Sequence, residues 1–576
     1  MSWVFAVIGQ NLSPQVEILS QIHTVPLVSF KTETLYLAAG GLKQTCVHHS
    51  GPIDGKPGGW LVLGTGIRLH DGCCALLSKA EWGEILDEPT PRLETLDGHF
   101  VALRWNESTV ECFNDRFGLR TLFILEKDAS VAISTRLDWL SRWNGGLDID
   151  FGQFGSHWLT FNQFSHQSLL QNVKRLGPAG RGVCSRESVS LQSNPWLPSG
   201  SVSSEEDATR KLLSFLHPEI KSEATLSFGL SGGLDSRLLL ALLLSAGRER
   251  FSVHSFGHPH EPDVKIAGLI AWDEHLHHEV LDDSVPGPQA LVPQLQDYVA
   301  QTYLAAPASS WMKLRYYPRL HAQRKFVIDG GMGEIARRQF LNRLLHRGKE
   351  VFRRGNARLM YPYLRVHRPS IFTEDVDRQM HAGVMAQLER VWLEMPSPEE
   401  IGVENFLDLL IVRYRFPNYG GVDQARMDGE IVSYMPFAQP SFVDAAFSLP
   451  LSTKKNGRLF RQLIRAHRHG LTHYPLVKGT ITYPFILPTI PAWAYTNVKS
   501  RLGLAYHERT GVEMLHVLSE YVRDLVHSTS VRTCAAYNHS AIQRMVEQFY
   551  SGRVELVHQV DWWLSFELWR QSLEGR

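Results

Sequence analysis

Hydrophobic and polar positions divide the chain into two textures. Up to about residue 137, short apolar or alternating runs recur: SWVFAVIG, WLVLGTGIRL, HFVALRW, TLFILE and VAISTRL. Turn-rich segments such as HSGPIDGKPGG separate them, and this pattern predicts β-structure. Near residue 150, LDIDFGQFGSHWLTF reads as a helix, and VKRLGPAGRGVCS as a turn leading into a strand. NPWLPSGSVSSEED is rich in Pro and Ser and reads as a linker, with a helix starting near Ser204, where serine precedes acidic residues. Strand, loop, helix, strand, helix then follow, which predicts a parallel sheet covered on both faces. From about residue 400 helical periodicity dominates. The expected fold class is α/β: a β-rich domain over 1–195, a linker at 196–203, and a doubly wound parallel-sheet domain with a helical C-terminal part over 204–576.

Composition narrows the function. The chain has 576 residues, more than one ordinary core, and 43% are hydrophobic. Lys plus Arg is 59 and Asp plus Glu is 59, a balance that argues against a general nucleic-acid binder. The six cysteines include no C-x-x-C pair, so a zinc ribbon or redox motif is not expected, and the vicinal Cys73–Cys74 pair reads as core filling. MSWVFAVIGQ lacks the basic region of a signal peptide, and the longest apolar stretch, Leu238 to Leu244, is too short for a membrane span. A cytoplasmic enzyme is the expectation.

The sharpest chemical signal lies at 224–243, ATLSFGLSGGLDSRLLLALL. A buried strand ending near Leu230 runs into Ser231-Gly232-Gly233-Leu234-Asp235-Ser236, and an apolar helix follows at once. Two glycines allow a tight turn with bare N–H groups, and the helix start adds partial positive charge, so the junction suits a phosphate. Ser231 and Ser236 bring hydroxyl donors, and the Asp235 carboxylate suits a magnesium ion on phosphates. No G-K-[ST] follows, so this is not a Walker-type loop. The next strand, from Phe251 through Ser255 and Phe256, should flank the adenine. His275, His277 and His278 in HLHHEV invite a metal reading, but strand alternation sends adjacent residues to opposite faces, which favours packing and surface roles.

SGGLDS resembles the loop of the ATP pyrophosphatases, which split ATP between the α- and β-phosphates. The whole chain resembles the asparagine synthetase family. LDGHFVALRW, NDRFGLRTLF, VAISTRLDWL and VKRLGPAG stand in the order of that family's N-terminal domain. SGGLDS is followed by HHEV, by DGGMGE and by YMPFAQPSFVDAAFSLPLSTKKNGRLFRQLIR, as in its second domain. The resemblance implies an N-terminal glutaminase-like sandwich of the Ntn type and an ATP pyrophosphatase domain using ATP and Mg2+. Glutamine-hydrolysing members carry a nucleophilic cysteine where this chain has Ser2, and the glutamine-gripping motifs are not found between residues 40 and 90. Ammonia from glutamine is therefore not expected.

That loss resembles β-lactam synthetases and, ranked first, lasso-peptide macrocyclases, which adenylate a carboxylate and close a ring with an amine of the same substrate. The branch implies a precursor peptide as substrate, with a leader-binding protein and a leader protease as partners. The basic stretch Arg337, Arg338, Arg343, Arg347, Lys349, Arg353 and Arg354 could meet acidic peptide or pyrophosphate, although a solvated helix face is the favoured reading. In the glycine-rich loop Asp329-Gly330-Gly331-Met332-Gly333-Glu334, the family's carboxylate position falls on Gly333 and its base position on Gly331. Asp329 or Glu334 is the candidate replacement metal ligand, and Gly330 and Gly331 are candidate nucleotide contacts. Lys478 matches a family lysine that stabilises charge on the reacting phosphorus. Trp562, Trp563, Phe566 and Trp569 recur at near-helical spacing and read as a packing helix. Two other readings stay open: a ligase joining a small-molecule carboxylate to ammonia or a separate amine, and a non-catalytic nucleotide sensor.

Overall fold

The computed structural model describes residues 1–10, 12, 25–51, 58–70, 72–200, 202–219, 224–247, 251–506 and 509–574, apart from the side chains of residues 339, 340 and 343. Among the described residues up to 192, the strands form two antiparallel sheets. One has the spatial order Val173–Arg175, Phe123–Lys127, Ser130–Ser134, Trp3–Ile8, Leu35–Gly40, Val28–Lys31. The other runs Val189–Gln192, Arg181–Ser185, Thr109–Asn114, Asp97–Trp105, Gly59–His70, Cys46–Ser50, with Cys73–Leu76 paired to Gly59–His70. Val4, Ala6 and Ile8 of the first sheet share a buried cluster with Leu61, Leu63, Val101 and Leu103 of the second, which makes a sandwich.

The second half is built on a parallel sheet of five strands: β1 (Thr225–Gly229), β2 (Phe251–Phe256), β3 (His278–Leu281), β4 (Lys325–Ile328) and β5 (Ser433–Tyr434). Their spatial order is β3-β2-β1-β4-β5, and every neighbouring pair is parallel. Strand order therefore reverses between β1 and β4, which opens a crevice beyond their carboxyl ends. Helix α1 (Leu234–Ser245) follows β1; Leu238 to Leu243 are all buried, as expected of a helix apolar on every side. Ser204 caps the preceding helix, Glu205–Leu216, by accepting from the Asp207 N–H at 3.0 Å. Trp196, inside the segment read as a linker, is buried, and its indole N–H donates to Asp444 Oδ1 at 2.9 Å.

The two halves share one core. Trp3 and Phe5 belong to the same buried cluster as Trp562, Trp563, Phe566 and Trp569 of the helix Val557–Ser572, the aromatic run read as a packing helix. Phe154, on the helix Phe151–Leu159, stacks on Trp569 with centroids 5.8 Å apart. At the centre of the join Asp428 reaches into the sandwich: Arg120 Nη1 donates to Oδ2 at 2.8 Å, and His99 Nε2 lies 2.8 Å from Oδ1. The Ser2 hydroxyl is buried, 3.3 Å from Thr45 Oγ1 and 3.4 Å from the Asp428 carbonyl. Cys74 is buried beside the Tyr434 hydroxyl at 3.3 Å. Among the described residues no helix is long and apolar enough to cross a membrane.

Replacing Asp428 by Ala should strip the buried Arg120 guanidinium of its counter-charge and destabilise the protein by about 3–5 kcal/mol. Urea unfolding read by tryptophan fluorescence measures this; a loss below about 1 kcal/mol would show that the join does not depend on the ion pair.

Candidate functional site

The loop after β1 and the loop after β4 meet where the strand order reverses. Between Ser231 and Ser236 the chain is self-tied: the two hydroxyls lie 2.9 Å apart, and the Gly233 N–H donates to Ser231 Oγ at 3.1 Å. The Gly232 N–H donates to Asp263 Oδ1 at 2.9 Å, from the start of the next helix, Pro262–Asp273. Gly233 is the N-cap of α1 and brings no capping side chain, so the first turn of that helix has no side-chain acceptor of its own. Gly330 lies directly behind it: a Cβ there would sit 3.4 Å from the Ser236 backbone N and Cα.

These loops open onto a cavity of about 550 Å³. Leu230, Ser231, Gly233, Leu234, Asp235, Ser236, Ser255, Phe256, Gly330 and Gly331 line it, as do Asp329 and Lys478. Gly232 stands just behind the lining, because β6 (Leu476–Lys478) takes the space its side chain would need. A Cβ on Gly232 would fall 2.2 Å from Val477 Cγ2, and the Val477 N–H donates to the Gly232 carbonyl at 3.0 Å. With β7 (Ile481–Tyr483), β6 forms a hairpin that carries Lys478 and Tyr483 to the cavity wall. Arg237, one residue past the motif, ties the arrangement together: its buried guanidinium donates to the carbonyls of Tyr474 at 2.7 Å, Pro475 at 2.8 Å, Gly232 at 3.2 Å and Leu471 at 3.3 Å.

On the β2 side, the Ser255 hydroxyl donates to the Leu230 carbonyl at 2.7 Å and lies 2.9 Å from His278 Nε2. Phe256 stacks on Tyr316 at 6.1 Å and meets Tyr317 edge-on at 5.5 Å. His254, 2.8 Å from Ser227 Oγ, is pushed down to about 3 by burial, with His278 and Lys325 adding to the effect, so it is a neutral ring in the wall. The histidines of HLHHEV join no metal cluster among the described residues.

Carboxylates crowd the opposite side. Burial pushes Asp235 up to about 6 against the nearby Arg337 charge, and Glu334 and Asp329 add to the rise. Arg337 Nε lies 2.8 Å from Asp235 Oδ1. Burial also raises Asp329, although its Oδ1 accepts the Gly331 N–H at 2.6 Å. Burial would raise Glu334 too, but Arg415 and Arg337 outweigh it; Arg415 Nε stands 3.4 Å from Oε1, and Glu334 is not in the cavity lining. Among the described residues no three His, Cys, Asp or Glu side chains gather to hold a metal unaided. Asp235, with Arg337 beside it, and Asp329 face one cavity, and two hard carboxylates there fit a magnesium ion that arrives with phosphate oxygens as its other ligands.

The basic run divides. Arg337 faces the cavity, and Arg338 is buried in an ion pair with Asp408. On α2 (Gln339–Arg354), Lys349 pairs with Glu404 at 2.9 Å and Arg353 with Glu350 at 3.0 Å. Arg347 lies 5.0 Å from the Trp493 ring, and the Arg343 side chain falls outside the described residues. Sequence reasoning passed over Arg237, Tyr483, Tyr317, Lys313 and Glu261. The last four line the cavity from separate elements, and no local motif marks them. Arg237 adjoins SGGLDS, and a lone arginine in an otherwise apolar helix was the available signal.

No family model matches the chain, and no curated protein matches it. Likeness to solved structures is weak, as three of them show. An allosteric regulatory enzyme of purine biosynthesis is 11% identical over 49% of this chain and 81% of its own, with a TM-score of 0.23. A glutamine phosphoribosylpyrophosphate amidotransferase from B. subtilis, complexed with ADP and GMP, is 10% identical over 57% and 81%, with a TM-score of 0.23. A U34-tRNA thiolase from Methanococcus maripaludis, with its 4Fe-4S cluster, is 14% identical over 48% and 80%, with a TM-score of 0.16. Scores this low leave the function to be argued from the site itself.

Two outcomes follow from the geometry. Gly232→Ala should push the hairpin off the loop and destabilise the protein by about 1–3 kcal/mol, and adding Val477→Ala should restore much of it; urea unfolding reads both, and no rescue would count against the contact. Asp235 has an ordinary value of 3.8 and a folded value of about 6, so the folded state binds more protons in that window and stability falls as pH rises through it. Asp235→Asn removes the penalty, and without nucleotide its stability relative to the parent should grow by up to about 3 kcal/mol between pH 4 and pH 7. A pH-independent difference would show that Asp235 titrates normally.

Proposed function

We propose that this protein is an ATP-dependent, AMP-forming amide ligase that closes a ring within a precursor peptide, as in lasso-peptide macrolactam formation. The observation that carries the reading is the convergence of the SGGLDS turn, the first turn of α1, Asp235, Asp329 and Lys478 on one cavity where the strand order reverses. Helix-start N–H groups and the serine hydroxyls suit phosphate oxygens, and the apolar β2 side with Phe256 suits the adenine. Asp235 and Asp329 would hold magnesium bound to the phosphates, where it offsets their charge.

In the first step a substrate carboxylate oxygen attacks the α-phosphorus. The bond to the bridging oxygen breaks, and pyrophosphate leaves. In the second step an amine attacks the acyl carbon of the adenylate, AMP leaves with the bonding electron pair, and the amine gives up a proton. Both steps build negative charge on oxygen, and a fixed ammonium at Lys478 is suited to stabilise it. The buried, hydrogen-bonded Ser2 hydroxyl supports an amine that comes from the substrate rather than from glutamine. Holding both ends of one chain in a single site replaces a bimolecular encounter.

The test is co-expression with the short peptides encoded beside the gene, followed by mass spectrometry. Loss of one water from a peptide, abolished by Asp235→Ala, is the expected result. An unchanged peptide mass together with AMP release on a small carboxylate and a separate amine would move the assignment to that simpler ligase. Lys478→Met should cut AMP formation by about 10²–10³-fold with ATP affinity little changed; full AMP production would remove Lys478 from the chemistry.

A further inference from the structure

A second groove, of about 550 Å³, adjoins the cavity and shares Tyr483 with it. Its walls are the end of the helix Arg458–His467, the turn after it, β7, and α3 (Thr489–Arg501). Arg465, His469, His473 and Lys499 line it, and among the described residues no Asp or Glu does. In a chain with 59 basic and 59 acidic residues, that is a local excess of positive charge. Asp273 and Glu274, which reach residues beside the groove, are already held by the Tyr474 hydroxyl and by Arg468 Nε, the latter at 2.9 Å from Glu274 Oε2. Lys499 lies 5.1 Å from the Tyr495 ring and Arg465 5.9 Å from the Phe485 ring, so both charges border aromatic surface.

Apolar side chains stand uncovered along the same helix. Tyr495, Val498 and Leu502 follow the spacing of one helical face and are 39%, 58% and 67% exposed; Ile486, in the groove wall, is 74% exposed. An exposed apolar stripe beside acid-free basic residues complements a chain that carries both apolar and acidic side chains. Overall neutrality disfavours a nucleic acid, which would draw on a wider basic field.

We propose that this groove docks an acidic, apolar-bearing segment of the peptide substrate along α3, so that its reactive carboxylate passes Tyr483 into the cavity. The proposal rests on the peptide-ligase reading above. It assigns to α3 and its flanks a binding role separate from the chemistry, set by charge and exposed apolar area rather than by fit to a single residue.

Fluorescence anisotropy on the full chain tests it with a labelled peptide alternating glutamate and leucine, and a matched lysine–leucine peptide. The acidic peptide should bind more tightly than the basic one. Arg465→Glu with Lys499→Glu should weaken it about tenfold or more, and Tyr495→Ala with Val498→Ser should weaken it independently, while ATP affinity stays within about twofold. Equal binding of the two peptides, indifference to charge reversal, or equally strong competition by polyuridylate would overturn the proposal. The variant pattern seen without AMP release from any peptide would keep the docking groove and remove the ligase reading. AMP release from a peptide whose affinity and turnover ignore all four substitutions would do the reverse.

Discussion

The buried guanidinium of Arg237 is the interaction on which the site depends. Burial lowers it to about 10, so it remains a cation at neutral pH, and it spends that charge on four backbone carbonyls from two distant stretches of chain. A planar fork with several donors can satisfy Gly232 and the 471–475 segment at once, and a lysine ammonium could not span them with the same geometry. The glycine turn and the hairpin thus behave as one rigid piece. That rigidity fixes the height of Lys478 over the turn, and the missing side chain of Gly232 lets Val477 come close enough to complete the joint.

Local rules made part of this architecture legible. Alternating runs marked the strands of the sandwich, and the apolar strand, glycine turn and apolar helix marked the centre of the parallel sheet, because period and turn chemistry act over a few residues. Ser204 declared a helix start for the same reason. Asp263, Tyr483 and Arg337 were not legible as neighbours, since their meeting depends on which strands adjoin and on a hairpin more than two hundred residues downstream of the turn. Lys478 was located by resemblance alone; nothing in the residues around it distinguishes it from a surface lysine. The basic run shows the same limit, because one pattern of charges serves a cavity, a buried pair with Asp408 and an exposed helix face.

The join between the halves decides how the two sheets are held together. Asp428 and its carbonyl lie against Ser2, His99 and Arg120, so the sandwich meets the second half through a buried, hydrogen-bonded polar cluster. Such a cluster holds two surfaces in register because each polar group is costly to leave unmatched. The sandwich is thereby held against the second half, and the crevice opens at the carboxyl edge of the parallel sheet.

The shared aromatic core also shapes how the chain reaches its native state. Phe154 packs on Trp569 and Trp158 on Trp562, contacts that span about four hundred residues. Closing so long a loop costs chain entropy before any contact repays it, so the helix Phe151–Leu159 cannot gain its full stability early in folding. During synthesis its apolar face must wait, partly uncovered, for a helix made at the other end of the described chain. The same arrangement ties the last helix to the helix Phe151–Leu159, so that loosening one loosens the other.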